Sequence, residues 1–262
     1  MRFQVLTIFP ELFAPFVATS LVGRAIEKGL LAIEVRDLRE FTQDRHRSVD
    51  DEPYGGGGGM VMTAPPWIRA VRELSAGRSP RRILLSPQGR RLDEATVREL
   101  AAGDDFLLLC GRYEAIDERV LETVVDEEVS IGDYVLSGGE LPVMVLIEAL
   151  SRQIPGVVQL AGSVENDSFR AGLLDYPHFT RPAEVEGRRV PEVLLSGDHA
   201  AIVAWREREA LRGTFRKRPD LLSAAALTER QRAWLKELAS GRPERAPSEA
   251  PPGPPPGPPD LP

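Results

Sequence analysis

Several residue types and patterns that define common kinds of protein are scarce in this sequence. Cys110 is the single cysteine among 262 residues, which excludes an internal disulfide framework and fits a reducing compartment. The three histidines lack the spacing of a zinc finger. No apolar run of about 20 residues could span a bilayer, and the N-terminus lacks the apolar core and cleavage site of a signal peptide. We therefore expect a soluble, cytoplasmic protein without a membrane partner.

The charge balance is acidic, with a formal net charge of -7. Binding of nucleic acid by the whole surface needs clustered Lys and Arg, so the sequence argues against that class. One segment differs, because cations and aromatic side chains alternate in it. Its members are Phe179, Arg181, Arg188, Arg189, Trp205, Arg206, Arg208, Arg212, Phe215, Arg216, Lys217 and Arg218. This pattern is equally consistent with a solvated helix face and with an RNA-binding patch.

Strand-like and helix-like patterns alternate from the N-terminus to residue 153. Short apolar runs predict strands at 3–8, 32–38, 60–63, 82–86, 106–109 and near Val129. Helical spacing predicts helices at 13–26, 67–77, 93–102 (capped by Asp93), 116–124 and 141–153, the last of them buried. This alternation, with 42% hydrophobic residues, predicts the α/β class, with a mainly parallel sheet covered on both faces.

The pattern changes beyond residue 158. Periodicity is lost between 159 and 172, which indicates an interdomain linker. Helix signals then dominate, with Asp198 as a candidate N-cap and Thr228 with Gln231 as a candidate capping box. Residues 241–262 hold ten of the 23 prolines and predict a disordered tail. We expect an α/β domain at 1–158, a linker at 159–172, a small helical domain at 173–240 and the tail at 241–262.

Three glycine-containing loops follow predicted strands. They are Ser86–Gly89, Cys110–Glu114 and Ser130–Pro142. Ligands of open parallel sheets bind beyond the carboxyl ends of the strands, so the three loops can form one site, although each alone also fits an ordinary turn. The last two contain no lysine, which argues against a P-loop grip on phosphate. The sequence favours a pocket for a compact, largely uncharged group held by backbone amides and carbonyls.

The glycine run Gly55–Gly59 follows an acidic loop, Asp50–Glu52, instead of a strand. No helix with a Lys-Ser/Thr pair comes next, so the context excludes a Rossmann or Walker assignment. A flexible turn is the commoner interpretation of such a run. The functional alternative is a loop that a nucleic-acid backbone or a flat base can approach closely.

Two polar positions further along admit a structural and a chemical interpretation. Arg152 follows a predicted helix and fits a residue that caps carbonyls, and Asp167-Ser168 fits a turn. Alternatively, a carboxylate on a loop can act as a general base while an arginine stabilises developing negative charge.

The motifs together resemble one family. In order and at matching spacing from Met1 to about Leu222, the chain is similar to bacterial tRNA (guanine-N1)-methyltransferases. The similarity rests on Asp50–Met60, Ser86–Gly89, Cys110–Glu114, Ser130–Pro142, Asp167–Phe169 and Gly172–Pro182. The resemblance implies a SPOUT-type fold, which is an α/β domain with a deep trefoil knot joined to a helical domain that binds tRNA. It also implies a homodimer with active sites at the interface.

The implied reaction is methyl transfer from S-adenosyl-L-methionine to N1 of the guanine immediately 3′ of the anticodon, which supports reading-frame maintenance. Asp167 matches the family's general base, and Arg152 matches the arginine that stabilises charge on guanine O6. The implied cofactor-binding residues are Ser86, Pro87, Gln88, Gly89, Gly111, Arg112, Tyr113, Glu114, Ser130, Ile131, Gly132, Asp133, Tyr134, Val135, Leu136, Gly138, Gly139, Leu141 and Pro142.

The resemblance further implies contacts with the anticodon stem-loop of tRNA and a magnesium ion. The matching substrate-binding positions are Asp50, Tyr54, Gly55, Gly56, Gly57, Gly59, Ser168, Asp175, His178 and Arg181. Glu114 is the carboxylate that would lie near Mg²⁺, with a structural salt bridge as the alternative.

Two departures and two rival functions accompany the resemblance. Ala115 stands where many relatives have glycine, which affects local backbone shape, and the net acidic balance is unlike that of a simple RNA-binding protein. One rival is a SPOUT methyltransferase acting on another RNA site or on a ribose oxygen; the Asp167–Phe169 loop argues against the ribose target, because that reaction needs no base for a ring nitrogen. The other is a catalytically silent RNA-binding protein, which intact Arg152 and Asp167 disfavour.

Overall fold

The computed structural model describes residues 1–158 and 167–240. The chain divides into two compact units, one ending at Glu165 and the other beginning at Asn166. Most of the predicted linker, residues 159–166, and the predicted tail at 241–262 lie outside the described residues. The assignment of four segments with separate roles therefore stays a prediction.

The strands are short except in the core of the first unit. In chain order they are β1 (Arg2–Thr7), β2 (Ala32–Asp37), β3 (Asp50–Asp51), β4 (Val61–Met62), β5 (Arg81–Arg91), β6 (Asp105–Cys110), β7 (Ala115–Ile116), β8 (Glu127–Ser130), β9 (Glu184–Val185) and β10 (Arg188–Arg189). Five of them form a sheet of order β2-β1-β6-β5-β8, in which every pair is parallel. This sheet confirms the predicted α/β class, while the knot implied by the resemblance stays a prediction.

Helices cover the sheet and build most of the second unit. They are α1 (Ala14–Ala18), α2 (Ser20–Glu27), α3 (Ala64–Leu74), α4 (Glu94–Leu100), α5 (Glu118–Val124), α6 (Glu140–Ser151), α7 (Glu192–Leu195), α8 (His199–Lys217) and α9 (Glu229–Ala239), with 3-10 helices at Pro10–Phe13, Leu38–Phe41 and Pro219–Ser223.

Side chains on β5 and β6 alternate between two hydrophobic cores. Leu108 packs with residues of α2, α4 and α6. Its neighbours Leu107 and Leu109 pack instead with residues of α3 and α5. Each successive side chain of a strand points to the opposite face, so two separate cores require a sheet that is covered on both sides.

Two helix predictions need correction. The helix expected at 13–26 is broken at Thr19, which has an extended backbone and whose hydroxyl donates to the Pro15 carbonyl at 2.7 Å. That bond offers the backbone an alternative to helix continuation. Ile116, expected in a helix, belongs to β7 and pairs with Met62 of β4. Helix α5 begins only after Asp117, whose side chain caps it by accepting from the Arg119 N–H.

Two other elements also differ from expectation. Strand β5 extends to Arg91 instead of ending at residue 86, with a break in its pairing between Leu85 and Arg90. Helix α6, expected to be buried, leaves Leu141 61% and Val145 47% exposed. These two residues are four positions apart, so they lie on one helix face that nothing within the described part of the first unit covers.

The two longest helices of the second unit begin at N-caps that the sequence predicts. Asp198 caps α8 by accepting from the N–H groups of Ala200 and Ala201, and Thr228 with Gln231 forms a complete capping box on α9. The short hairpin β9–β10 was not predicted. Among the described residues, no helix is both long enough and apolar enough to cross a membrane.

Candidate active site

A cavity of about 930 Å³, counted with its open mouth, lies where β6, β8 and the first part of β5 end. We call it the strand-end pocket. Most of the predicted cofactor-binding residues line it, namely Ser86, Pro87, Gln88, Gly111, Arg112, Tyr113, Glu114, Ser130, Ile131, Gly132, Tyr134, Val135, Leu136, Gly138, Gly139 and Pro142. The three glycine-containing loops therefore converge on one site.

The lining lacks some of the predicted residues and includes others that were not predicted. Gly89, Asp133 and Leu141 are not part of it. Sequence reasoning missed several contributors, namely Leu84, Leu85, Ala115, Ile116, Glu118, Leu121, Glu128, Val129 and Ser137. Leu84, Leu85, Glu128 and Val129 directly precede two of the predicted motifs. Extending the motifs that begin at Ser86 and Ser130 by two residues toward the N-terminus would have found them. Glu118 and Leu121 come from α5, whose packing no local motif indicates.

The break in β5 forms one wall of the pocket. Both Leu85 and Arg90 pair with Val129 of β8, so the four residues between them leave the sheet as a loop that rejoins the same neighbour. Gly89 closes this loop, because a Cβ there would lie 2.4 Å from the backbone of Glu128. Gly89 therefore shapes the wall through contact with β8 and does not face the cavity.

Gly139 allows a second close backbone contact at the pocket. A Cβ at this position would lie 2.8 Å from the Cα of Cys110, and the Gly139 N–H donates to the Gly111 carbonyl at 2.9 Å. Burial raises the pKa of the Cys110 thiol well above its usual range, and the charge of Glu140 adds to the rise. This thiol is therefore a packing group and not a nucleophile.

A buried carboxylate ties three elements of the pocket together. Glu140, the first residue of α6, is 1% exposed. Its Oε1 accepts from the Thr7 hydroxyl at the end of β1 at 2.7 Å, and its Oε2 accepts from Arg112 Nε at 3.0 Å. The Arg112 guanidinium also lies 4.5 Å from the centroid of the Phe9 ring. Sequence reasoning did not single out Glu140, which stabilises the pocket loop after β6.

The glycine-rich segment forms the tip of the β3–β4 hairpin. Tyr54 is 100% exposed at this tip, and a Cβ on Gly55, Gly56 or Gly57 would meet nothing within 4 Å. The segment is fixed where it meets β4, because the Glu114 N–H donates to the Met60 carbonyl at 3.0 Å. The hairpin thus has an open tip and a base attached to the strand-end pocket.

Asp50, in strand β3 of the hairpin, also lies next to the pocket. The pKa of Tyr113 is raised, first by burial and then by the charge of the adjacent Asp50 carboxylate. Tyr113 lines the pocket with a backbone φ of 62°, a conformation that costs energy in a non-glycine residue. A predicted substrate-binding residue and a predicted cofactor-binding residue are therefore neighbours.

The two predicted catalytic residues belong to different units. Arg152 caps the end of α6 in the first unit. Asp167 is the first described residue of the second unit, in a turn closed by donation from the Arg170 N–H to its carbonyl at 3.2 Å. Behind it, Ser168 Oγ accepts from the Asp175 N–H at 2.9 Å, and His178 Nε2 lies 2.8 Å from Asp175 Oδ2. The turn is thus supported by neighbouring predicted substrate-binding residues.

Within residues 1–158 and 167–240, no group of three or more His, Cys, Asp or Glu side chains could hold a metal ion. Glu114 is a single carboxylate next to Gly59, where a Cβ would lie 2.4 Å from Glu114 Oε1. Mg²⁺ is commonly bound by one or two carboxylates with water completing its shell. Among the described residues, Glu114 is therefore not part of a cluster of three or more metal-ligating side chains.

An open parallel sheet with a loop-lined pocket at its carboxyl edge defines the class of α/β enzymes that bind a small ligand there. Comparison with known proteins is more specific. A family profile described as "tRNA (Guanine-1)-methyltransferase TrmD" matches residues 1–224. The chain belongs to this family.

Similar proteins cover nearly the whole chain. A protein of Geobacter metallireducens is 52% identical over 242 residues, which are 92% of this chain and 99% of that protein. One of Proteus mirabilis is 51% identical over 90% of this chain and 96% of its own length, and one of Escherichia coli is 53% identical over 90% and 94%. Each is named tRNA (guanine-N(1)-)-methyltransferase.

Proposed function

We propose that this chain transfers a methyl group from S-adenosyl-L-methionine to N1 of the guanine immediately 3′ of the anticodon in tRNA. The observation that carries the proposal is the strand-end pocket. Loops that are distant in sequence meet there, and the same loops carry the family resemblance. Family membership supports a methyltransferase, and the names of the similar proteins support guanine N1 as the target atom.

The strand-end pocket suits the methyl donor by its position, because it lies at the carboxyl edge of the parallel sheet, where small ligands of such sheets bind. Ser86–Gln88, Gly111–Glu114 and Ile131–Gly139 would hold the donor, mostly through main-chain groups. Gly139 keeps this part of the pocket free of a side chain that would press on Cys110. When bound, S-adenosyl-L-methionine supplies an electrophilic methyl group on a sulfonium.

Two residues of the chain would act on the guanine. N1 carries a proton and is a poor nucleophile, so a base must remove that proton as N1 attacks; Asp167 has this role. Negative charge then spreads to O6, where the Arg152 guanidinium stabilises it as a donor in an oxyanion hole does. The residues that would contact the RNA are Asp50, Tyr54, Gly55, Gly56, Gly57, Gly59, Ser168, Asp175, His178 and Arg181.

We assign a second copy of the chain to the exposed face of α6. Leu141 and Val145 are apolar and exposed there, and Val135 on the adjacent pocket loop is 83% exposed. Apolar residues exposed next to a ligand pocket commonly mark an interface. A homodimer through this face would place its active sites at the interface. The anticodon stem-loop would meet the second unit, where cations and aromatic side chains alternate between residues 179 and 218. The magnesium expectation at Glu114 has no support from a ligand cluster among the described residues.

The proposal is tested by labelled methyl transfer to tRNA transcripts that carry G or A immediately 3′ of the anticodon. We expect label in the G transcript only, and digestion should recover it as 1-methylguanine. Equal labelling of both transcripts would refute the target position, and label on a ribose oxygen would favour the first rival function. Binding of tRNA with no transfer would favour the silent RNA-binding protein.

A further inference from the structure

A second cavity lies entirely within the second unit. It has a volume of about 1000 Å³, counted with its open mouth, between the segment Tyr176–Ala183 and helices α7 and α8. We call it the aromatic pocket, because Tyr176, Phe179 and Trp205 line it together with His178. The strand-end pocket and the two catalytic residues do not account for this cavity.

The rings of the aromatic pocket are arranged in pairs. Phe179 and Trp205 have centroids 6.2 Å apart with an interplanar angle of 56°, and Tyr176 and His178 have centroids 4.7 Å apart. Phe179 is nevertheless 48% exposed. Rings that pack on each other without being buried leave ring faces available to a flat ligand.

The charged lining of this pocket is cationic. Arg181 and Arg206 line it, and no carboxylate from residues 1–158 or 167–240 does. The Arg206 guanidinium lies 4.9 Å from the centroid of the Tyr176 ring, and a guanidinium has five N–H donors that suit a phosphate. An occupant that matches this lining has a flat ring and a negative charge close to it, which is the chemistry of a nucleotide.

We propose that the aromatic pocket holds one unpaired nucleotide of the RNA substrate, other than the methylated guanine. Its base lies against Trp205 and Phe179, and its phosphate is bound by Arg206 and Arg181. RNA-binding proteins commonly recognise single-stranded loops in this way, by stacking splayed bases on aromatic side chains and arginine planes. The inference rests on the proposed function only in taking tRNA as the RNA. A second bound nucleotide would fix the register of the loop whose guanine is methylated.

Fluorine NMR of the full chain labelled with 5-fluorotryptophan tests the proposal without using activity. The chain has three tryptophans, so three resonances can be assigned by Trp→Phe substitution. On addition of a synthetic anticodon stem-loop RNA, we expect the Trp205 resonance to shift. Trp67 is fully buried and should not respond. Trp234 is a matched control, because it lies beneath Arg230 at 4.4 Å but outside the pocket.

Substitutions measure the contribution of the pocket to RNA affinity. Trp205→Ala should weaken binding of the stem-loop about 5- to 150-fold, the scale of one lost base–aromatic stack. Phe179→Ala, at an exposed ring whose removal should not unfold the unit, should weaken it at least about threefold. Trp234→Ala should change it less than about twofold. Affinity for S-adenosyl-L-methionine should be unchanged in all three variants.

The outcomes separate this inference from the proposed function. An unshifted Trp205 resonance with RNA bound would overturn the inference, even if the same sample methylates tRNA. So would a shift that follows protein concentration instead of RNA, because a second copy would then occupy the pocket. A Trp205 shift in a protein that transfers no methyl group would support the inference while removing the proposed function.

Discussion

The strand-end pocket depends on close backbone contacts between its loops, whereas the aromatic pocket depends on rings and guanidinium groups. In the first, loops leave a buried parallel sheet, and Gly139 and Gly89 bring backbone against backbone. In the second, rings and guanidinium groups project from a segment and a helix of which many residues are exposed. We therefore expect a change at Gly139 to disturb the loops of the strand-end pocket together, and single changes in the aromatic pocket to lower affinity without disturbing the fold.

The largest effect is expected at Asp167, which tests whether proton removal and donor binding belong to different units. Asp167→Ala should lower the single-turnover rate of methyl transfer by about two to four orders of magnitude, the scale of a lost general base. Affinity for S-adenosyl-L-methionine should stay the same, because the strand-end pocket lies in the first unit. Quench-flow and calorimetry measure the two quantities. A rate close to that of the unchanged protein would remove Asp167 from the mechanism.

The next largest effect is expected from the buried carboxylate of the first unit. Glu140→Ala leaves the Thr7 hydroxyl and Arg112 without their acceptor, and loss of one partner of a buried ion pair costs roughly 3–5 kcal/mol. Because Arg112 is partly exposed, we expect the free energy of unfolding, from urea titrations followed by tryptophan fluorescence, to fall by about 3 kcal/mol, together with weaker donor binding. Glu184→Ala, in an exposed pair of the second unit, is the control and should change neither. Equal effects of the two variants would contradict the comparison.

A third test applies one substitution to both units. Gly139→Ala forces a methyl group against Cys110, and overpacking of this kind costs about 1–3 kcal/mol. Gly213→Ala lies within α8 with nothing inside 4 Å of the added Cβ, so it should stabilise by up to about 1 kcal/mol through helix propensity. Thermal unfolding of both variants gives the signs. Stabilisation at both positions would show that the backbone contact at Gly139 relaxes freely.

The smallest expected effect concerns acid stability. Hydrogen bonds from Arg90 and then Arg81 lower the pKa of Glu99 from 4.5 to about 2. A carboxylate with a lowered pKa in the folded state stabilises the fold above its unfolded pKa, and this contribution is lost as the pH falls from about 4.5 to about 2. Glu99→Gln should therefore flatten the decline of stability in that window, by a modest amount because the group is exposed. Parallel pH curves for both proteins would contradict this assignment.

The strand-end pocket could largely be predicted, because its signals are local. A glycine within a few residues after an apolar strand marks both the loop and the edge of the sheet where it lies, and Gly89, Gly111 and Gly132 carry that signal. The role of Glu140 could not be predicted, because Thr7 is 133 positions away in sequence. A glutamate at the start of a helix is already explained by the helix dipole, so nothing in the local pattern indicates burial.

The same limit applies to the exposed and aromatic features. An apolar residue at 141 or 145 predicts a buried position from periodicity alone, and only the packing of α6 shows which side faces outward. The cations and rings of residues 179–218 could be noted from the sequence, but the contact of Phe179 with Trp205 depends on how the segment folds onto α8. Local propensity could predict the caps at Asp93, Asp198 and Thr228, because each involves residues only two or three positions apart.

The burial of Cys110 gives this protein an internal reporter of motion. Its thiol is the only one in the chain, lies at the end of β6 and is fully buried next to Gly139. A thiol reagent can react there only when the sheet edge opens, so the modification rate measures the free energy of that opening. Occupancy of the strand-end pocket should slow the reaction, which makes a simple colorimetric assay a ligand-binding measurement that needs no RNA and no labelled donor.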